Sequence, residues 1–148
     1  MTDTPAGAIL VTGASGGIGA AVARRLATEY PEAPVVLGYR TREPADLAGE
    51  LAGELAGEPP RDPGTGGGRT VECVRLAPGG GPGSGPDGGD DEVVARTIDR
   101  IGARHGGIRV LAHCAGPHVP MVNLSRVSPA DLRRQLDDDA GGFFALVH

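Results

Sequence analysis

"AILVTGASGGIG", Ala8 to Gly19, is the stretch on which the reading of this chain turns. Ala8 to Thr12 is an unbroken apolar run that ends in turn residues. A run without polar alternation suits a strand covered on both faces. From Gly17 to Glu29, Ile18, Val22 and Leu26 then recur at four-residue spacing, with Arg24 and Arg25 on the other side. That is an amphipathic helix. Strand, glycine turn and helix, in that order, place backbone N–H groups where they can face a phosphate. Gly13 permits the tight turn, Gly17 lets backbone approach a pyrophosphate, and Gly19 permits close helix packing. The glycine spacing alone is weak in a chain with 26 glycines, and a plain structural turn is the competing reading.

The same alternation continues outward. "PVVLGY" (Pro34 to Tyr39) and "TVECVRL" (Thr70 to Leu76) read as further buried strands, and "IRVLAHCAG" (Ile108 to Gly116) as a fourth that runs into a small-residue turn. Pro44 to Leu55 reads as a helix with Leu47, Leu51 and Leu55 on one face, built on a tripled LAGE. Asp90 to Arg104 reads as a helix with acids at its start, an apolar face of Val94, Ile98 and Ile101, and Gly106 placed to end it. Ser128 caps a last helix, with Pro129 in its first turn and Asp131 completing a capping-box pattern. Leu132, Leu136, Ala140, Phe143, Phe144 and Val147 form its expected face. The expected fold is α/β: a Rossmann-type doubly wound parallel sheet, incomplete, with four strands alternating with four helices.

Composition bounds the rest. At 148 residues the chain has a single-domain length, read as one domain over 1–148. Its 26 glycines and 13 prolines cluster at Glu58 to Arg69 and Ala77 to Gly89, which read as flexible loops. The alternative for these stretches, a phosphate cradle, lacks the strand-to-helix context. A net charge of −5 argues against nucleic acid or an anionic membrane as the main partner. No apolar run reaches the ~20 residues of a membrane span, and the opening residues carry no basic secretory signal. Cys73 and Cys114 sit in apolar runs and read as buried free thiols of a cytoplasmic protein, with no metal site.

The end of the second strand bears on the ligand. A dinucleotide enzyme that uses NAD places an acid on the ribose 2′-hydroxyl about 20 residues past the glycines. Here Tyr39 is followed by Arg40, Thr41 and Arg42. A guanidinium grips a 2′-phosphate that a carboxylate would repel, so NADPH/NADP+ is expected over NADH, with Arg40 the main contact. A solvated basic turn is the bland reading.

At these residues the sequence resembles the classical short-chain dehydrogenase/reductase family, and its pattern T-G-x-x-x-G-x-G is complete at Thr12, Gly13, Gly17 and Gly19. The likeness covers the first half of the family's usual length. It is nearest to the 3-oxoacyl-[acyl-carrier-protein] reductase branch, through the glycine stretch, "VVLGYRTRE" and "CAG". The resemblance implies that Gly13, Ser15, Gly16, Gly17, Ile18 and Gly19 line the cofactor phosphates, that Arg40 and Thr41 meet the ribose end, and that Cys114, Ala115 and Gly116 border the adenosine half. "HCAG" stands where the family has N-N-A-G, so His113 and Cys114 replace asparagines; His113 is read as a core or turn histidine. Ala77 stands where the family carries an adenine-side Asp, and Asp139 where it carries an Asn that helps hold a proton-relay water.

The family's chemistry is hydride transfer from nicotinamide to a carbonyl, served by a Ser and a Tyr-x-x-x-Lys. This sequence has no lysine, and its two tyrosines, Tyr30 and Tyr39, lie in the first half. No catalytic residue is therefore assigned. The expectation is the cofactor-binding half of an NADPH-dependent ketoreductase of 3-oxoacyl-thioester type, partnered by a C-terminal half or complementary subunit. Two alternatives stand beside it: a non-catalytic NADP(H)-binding module, and a truncated remnant without activity.

Overall fold

The computed structural model describes residues 7–53, 69–76, 89–116 and 123–147. Four parallel strands make one sheet: β1 (Ala8–Thr12), β2 (Val35–Tyr39), β3 (Val71–Arg75) and β4 (Ile108–His113), in the order β3-β2-β1-β4. Helices α1 (Gly17–Glu29), α2 (Ala45–Gly53) and α3 (Gly89–His105) alternate with them. After β4 come a short 3-10 turn (Leu124–Arg126), α4 (Pro129–Leu136), a π-helical turn (Asp137–Gly141) and α5 (Gly142–Val147). This is the Rossmann-like α/β architecture expected. Most of both Gly/Pro stretches, 58–68 and 77–88, lies outside the described residues, as do Leu55 and most of 117–127.

The sheet separates two cores, as alternation along each strand requires. Ile9, Val11, Val35 and Leu37 face α1 and α2 and pack with Ala23, Ala27, Leu47 and Leu51. Ala8, Leu10, Val36, Val74 and Leu76 face the other side, where Val94, Ile101 and Leu146 cover them. The central strand β1 is buried at every residue, whereas β4, with β1 on one side only, is half-buried throughout.

α1 departs from expectation. Ile18 is 76% exposed, and the buried residues are Gly19, Ala23 and Ala27, with Val22 and Leu26 only partly covered. Small side chains let the helix lie close to the sheet, so the alanine stripe wins the interior over the bulkier one. The far end of α1 has no base in its last turn. Arg69 supplies one from across the fold: its Nη2 donates to the carbonyls of Ala27 and Tyr30. A cation there complements the negative end of the helix dipole. Arg69, which composition alone places in the tail of a flexible loop, is in this way tied down.

α3 ends as expected: the N–H of Gly107 donates to the carbonyl of Gly102 at 2.8 Å, with Gly106 in the left-handed region at φ 76°. Glu72 of β3 pairs with Arg104 at 3.0 Å and His105 at 3.4 Å in the last turn of α3. Between β1 and β4 the register slips past Arg109, whose guanidinium lies 4.6 Å from the centre of the Tyr30 ring.

The last helix is the largest correction. It starts as expected, with the Ser128–Asp131 capping box formed. It does not run through. "DDDAGG" brings three adjacent like charges and two weak helix formers together, and the chain takes a wider π-helical turn there. The extra residue in that turn rotates α5 about its axis relative to α4. Gly142 and Leu146, four residues apart, face the sheet, while Leu132, Leu136, Phe143, Phe144 and Val147 are all exposed.

Candidate functional site

In an open parallel sheet, ligands sit beyond the carboxyl ends of the strands, where the strand order reverses. Here the reversal lies between β1 and β4, because the chain passes from β3 at one edge to β4 at the other. A cavity of about 240 Å³ opens at this point. β1 contributes Thr12 and the turn residues Gly13, Ser15 and Gly16; β2 contributes Gly38, Tyr39, Arg40 and Thr41; β4 contributes His113, Cys114, Ala115 and Gly116. Leu76 closes it on the β3 side, and Gly142 and Leu146 of α5 on the other.

The glycine turn is sterically forced. Gly13 has φ +68°, and a Cβ built on it would stand 2.6 Å from the N of Ala115 and the O of Cys114. The turn thus lies directly against the "CAG" stretch, which explains why both motifs come together. A Cβ on Gly19 would stand 2.2 Å from the carbonyl O of Gly13, so only glycine lets the helix begin so close to the turn. Gly16 is the N-cap and brings no side-chain cap, and no acid occupies the first turn. The leading N–H groups of α1 therefore have no side-chain cap and no first-turn acid beside them, and the positive end of the helix dipole lies at the Gly16 edge of the cavity.

Of the expected contacts, Gly13, Ser15, Gly16, Arg40, Thr41, Cys114, Ala115 and Gly116 line one cavity. Gly17, Ile18 and Gly19 do not: Gly17 and Ile18 are exposed, and Gly19 is buried against the turn. Asp139 falls in the π-helical turn. Ala77 lies outside the described residues.

Sequence reasoning missed part of the wall. Thr12 and His113 are partners in the β1–β4 register, and their side chains are joined, Oγ1 to Nδ1, at 2.8 Å. His113 also packs against Phe143, ring centres 5.4 Å apart. More than a core or turn histidine, it lines the cavity while bonded to the β1 end. Equal position at two adjacent strand ends was the available signal. Gly142 and Leu146 had none, because their orientation depends on the π-helical turn.

The thiols are free and half-buried. Burial pushes the Cys114 thiol up from its ordinary value. Burial pushes Cys73 up as well, with the charges of Glu43 and Glu72 adding to it. Burial of this kind disfavours the thiolate that a nucleophile needs, and Cys114 is the one of the two that lines the cavity. Among the described residues no cluster of His, Cys, Asp or Glu is placed to hold a metal ion, and no helix is long and apolar enough to cross a membrane.

Fold and cavity together define a Rossmann-like α/β unit with its crevice at the switch point. The solved structures it resembles include short-chain dehydrogenases/reductases. One from Mycobacterium ulcerans matches with a TM-score of 0.64 and 26% identity, over 95% of this chain and 44% of its own. An NADH-dependent reductase solved with NAD matches at TM-score 0.66 and 24% identity, over 97% of this chain and 50% of its own. A metagenomic short-chain oxidoreductase solved with NADP matches at 0.63 and 24%, over 95% and 53%. The chain spans about half the length of these proteins. No family model and no curated protein matches the sequence.

Proposed function

We propose that this chain is the NADP(H)-binding half of a short-chain reductase that acts on a carbonyl, of the 3-oxoacyl-thioester type that the sequence most resembles. The observation that carries the reading is the turn at Gly13, packed on the "CAG" stretch with an uncapped helix start behind it. A Cβ at Gly13 or Gly19 would drive the turn off the "CAG" backbone or off the start of α1, so the two glycines keep strand end, turn and helix start in close contact beside the cavity. Two of the solved relatives in fold hold NAD or NADP.

Residue by residue, Gly13, Ser15 and Gly16, with the first N–H groups of α1 at Gly17, Ile18 and Gly19, would hold the diphosphate. Arg40 and Thr41 would meet the ribose bearing the 2′-phosphate, and Cys114 to Gly116 would border the adenosine. The bound nicotinamide would supply the hydride. Within these 148 residues there is no lysine for a Tyr-x-x-x-Lys, so the reduction itself would need a Ser, Tyr and Lys from a further segment or subunit. A binding module without catalysis is the second reading, and the cavity at the switch point supports it equally.

Titration of the purified chain with NADPH and NADH tests the first claim. Arg40 is exposed, and among the described residues its bond is through the backbone carbonyl, to Arg75. Replacing it with Glu is expected to weaken NADPH at least tenfold, about 1.4 kcal/mol, while NADH changes little. Equal affinity for both cofactors, or an unaffected Arg40→Glu, would overturn the preference for NADP(H). Ketone reduction only when a partner carrying Tyr-x-x-x-Lys is added supports the reductase half; tight NADPH binding with no such partner supports the binding module.

A further inference from the structure

We propose that Arg75, at the carboxyl end of β3, is a second determinant of cofactor choice: it fixes the turn that carries Arg40 and adds a second positive charge facing a 2′-phosphate. The inference rests on the dinucleotide reading above and deepens it.

Its first support is strand parity. Val71 and Cys73 pack on the α1–α2 side, Val74 and Leu76 on the α3 side. Arg75 has the parity of Cys73, so it emerges on the α2 side, next to the Arg40–Pro44 turn. Register agrees, for Arg75 is the partner of Tyr39, the last residue before that turn. The strand ends are tied again one residue on, where the N–H of Leu76 donates to the carbonyl of Tyr39 at 2.7 Å.

The second support is a direct bond. Arg75 Nε donates to the backbone carbonyl of Arg40 at 3.2 Å. This uses one of five guanidinium N–H groups and leaves the outer edge of the fork available. The exposed guanidinium of Arg75 is therefore held at the end of β3, beside the strand end that carries the exposed Arg40 of the cavity wall.

The third support is charge. Among the described residues no carboxylate forms an ion pair with Arg40 or Arg75. Glu72, one residue back from Cys73, is engaged by Arg104 and His105 on the other side. Glu43 is the single acid in the Arg40–Pro44 turn, set against Arg40 and Arg42. Two like charges side by side repel unless an anion lies between them, and a phosphate monoester carries close to two negative charges near neutral pH. A ribose bearing a bare 2′-hydroxyl offers nothing to match.

The test uses adenine nucleotides that differ only in the phosphate at issue, 2′,5′-ADP and 5′-AMP, titrated calorimetrically into the purified chain. Arg75→Gln keeps a donor for the Arg40 carbonyl and loses the charge; Arg75→Lys keeps the charge and loses the fork. Both are surface changes, and circular dichroism confirms the fold before titration. Arg75→Gln is expected to weaken 2′,5′-ADP about fivefold to tenfold and to leave 5′-AMP within about twofold, with Arg75→Lys in between. The loss shrinks as ionic strength rises, because the charges are exposed. Wild type that prefers 2′,5′-ADP, with Arg75→Gln unchanged, overturns the role of Arg75 and spares the cofactor reading. Equal losses for both nucleotides overturn it too, since they mark a purely structural residue. Wild type that binds neither nucleotide overturns both.

Discussion

The two ends of this chain use their apolar residues in opposite ways. In β1, α1 and β2 a buried strand and an alanine stripe interlock, and Ile9, Val11, Val35 and Leu37 show no exposed surface. In α4 and α5 the apolar content is similar, yet α4 buries no residue and α5 contributes mainly Leu146 to the core. The difference teaches what a helix needs in order to add stability here. A period that matches the helix suffices at α1, where the strand on either side is already covered. At the far end the π-helical turn breaks the period, and capping alone fastens the element to nothing.

The sharpest way to break this contrast is a pair of leucine truncations. Leu51 of α2 is fully buried against the α1 face of the sheet, whereas Leu136 of α4 is 57% exposed. Leu51→Ala is expected to cost about 2–5 kcal/mol, and Leu136→Ala no more than about 0.5 kcal/mol, measured by urea unfolding. Comparable losses at the two sites would mean that the final helices are covered in solution.

The next effect is smaller in stability and larger in binding. Gly13→Ala forces a Cβ into the backbone of Cys114 and Ala115 at a positive φ. The strain should cost about 1–3 kcal/mol. NADPH affinity is expected to fall beyond detection, because the turn must open away from "CAG" to relieve the clash. Gly49→Ala is the control: a Cβ there meets nothing within 4 Å, and in a helix it is expected to add up to about 1 kcal/mol. An unaltered NADPH affinity in Gly13→Ala would remove this turn from the site.

The same contrast explains how much was legible in the sequence. The four strands, the first three helices and the glycine turn could be read because each rests on a local period or on a residue type that the backbone demands. The cavity's near wall came with them: Gly13, Ser15, Gly16, Arg40 and Cys114 to Gly116 are all at or just past strand ends. Its far wall could not be read. Leu146 looks like one apolar residue among several, and only the extra residue of a π-helical turn picks it over Phe143 or Val147. Ile18 misleads for the opposite reason. Its spacing is right, but close packing on the sheet favours the alanines. Arg69 is hidden by its glycine neighbours, although its partners, the last carbonyls of α1, are one strand away.

The smallest effect expected is a pH dependence. Glu50 of α2 accepts two hydrogen bonds from Arg24 of α1, at 2.5 and 2.7 Å. The Arg24 hydrogen bond holds its carboxyl below the ordinary value, against a weaker opposing push from burial. Asp131 of α4 is also lowered, first by its bond to the Ser128 hydroxyl. Both shifts have one sign. A carboxyl whose folded value is depressed adds stability above its unfolded value, and loses it as the pH falls through the folded one. The two should nevertheless read out differently. Glu50 ties together two helices that share a core, so its protonation is felt in global unfolding. Asp131 caps a helix that buries nothing, so its protonation frays that helix locally. Urea unfolding measured from neutral to acid pH should therefore lose part of its slope in Arg24→Ala and keep it in Ser128→Ala. In Ser128→Ala the amides of α4 should instead exchange faster at every pH. An Arg24→Ala protein with the wild-type acid profile would show that the Glu50 pair adds nothing to global stability, and a Ser128→Ala protein without that profile would show that the last helices share the stability of the first.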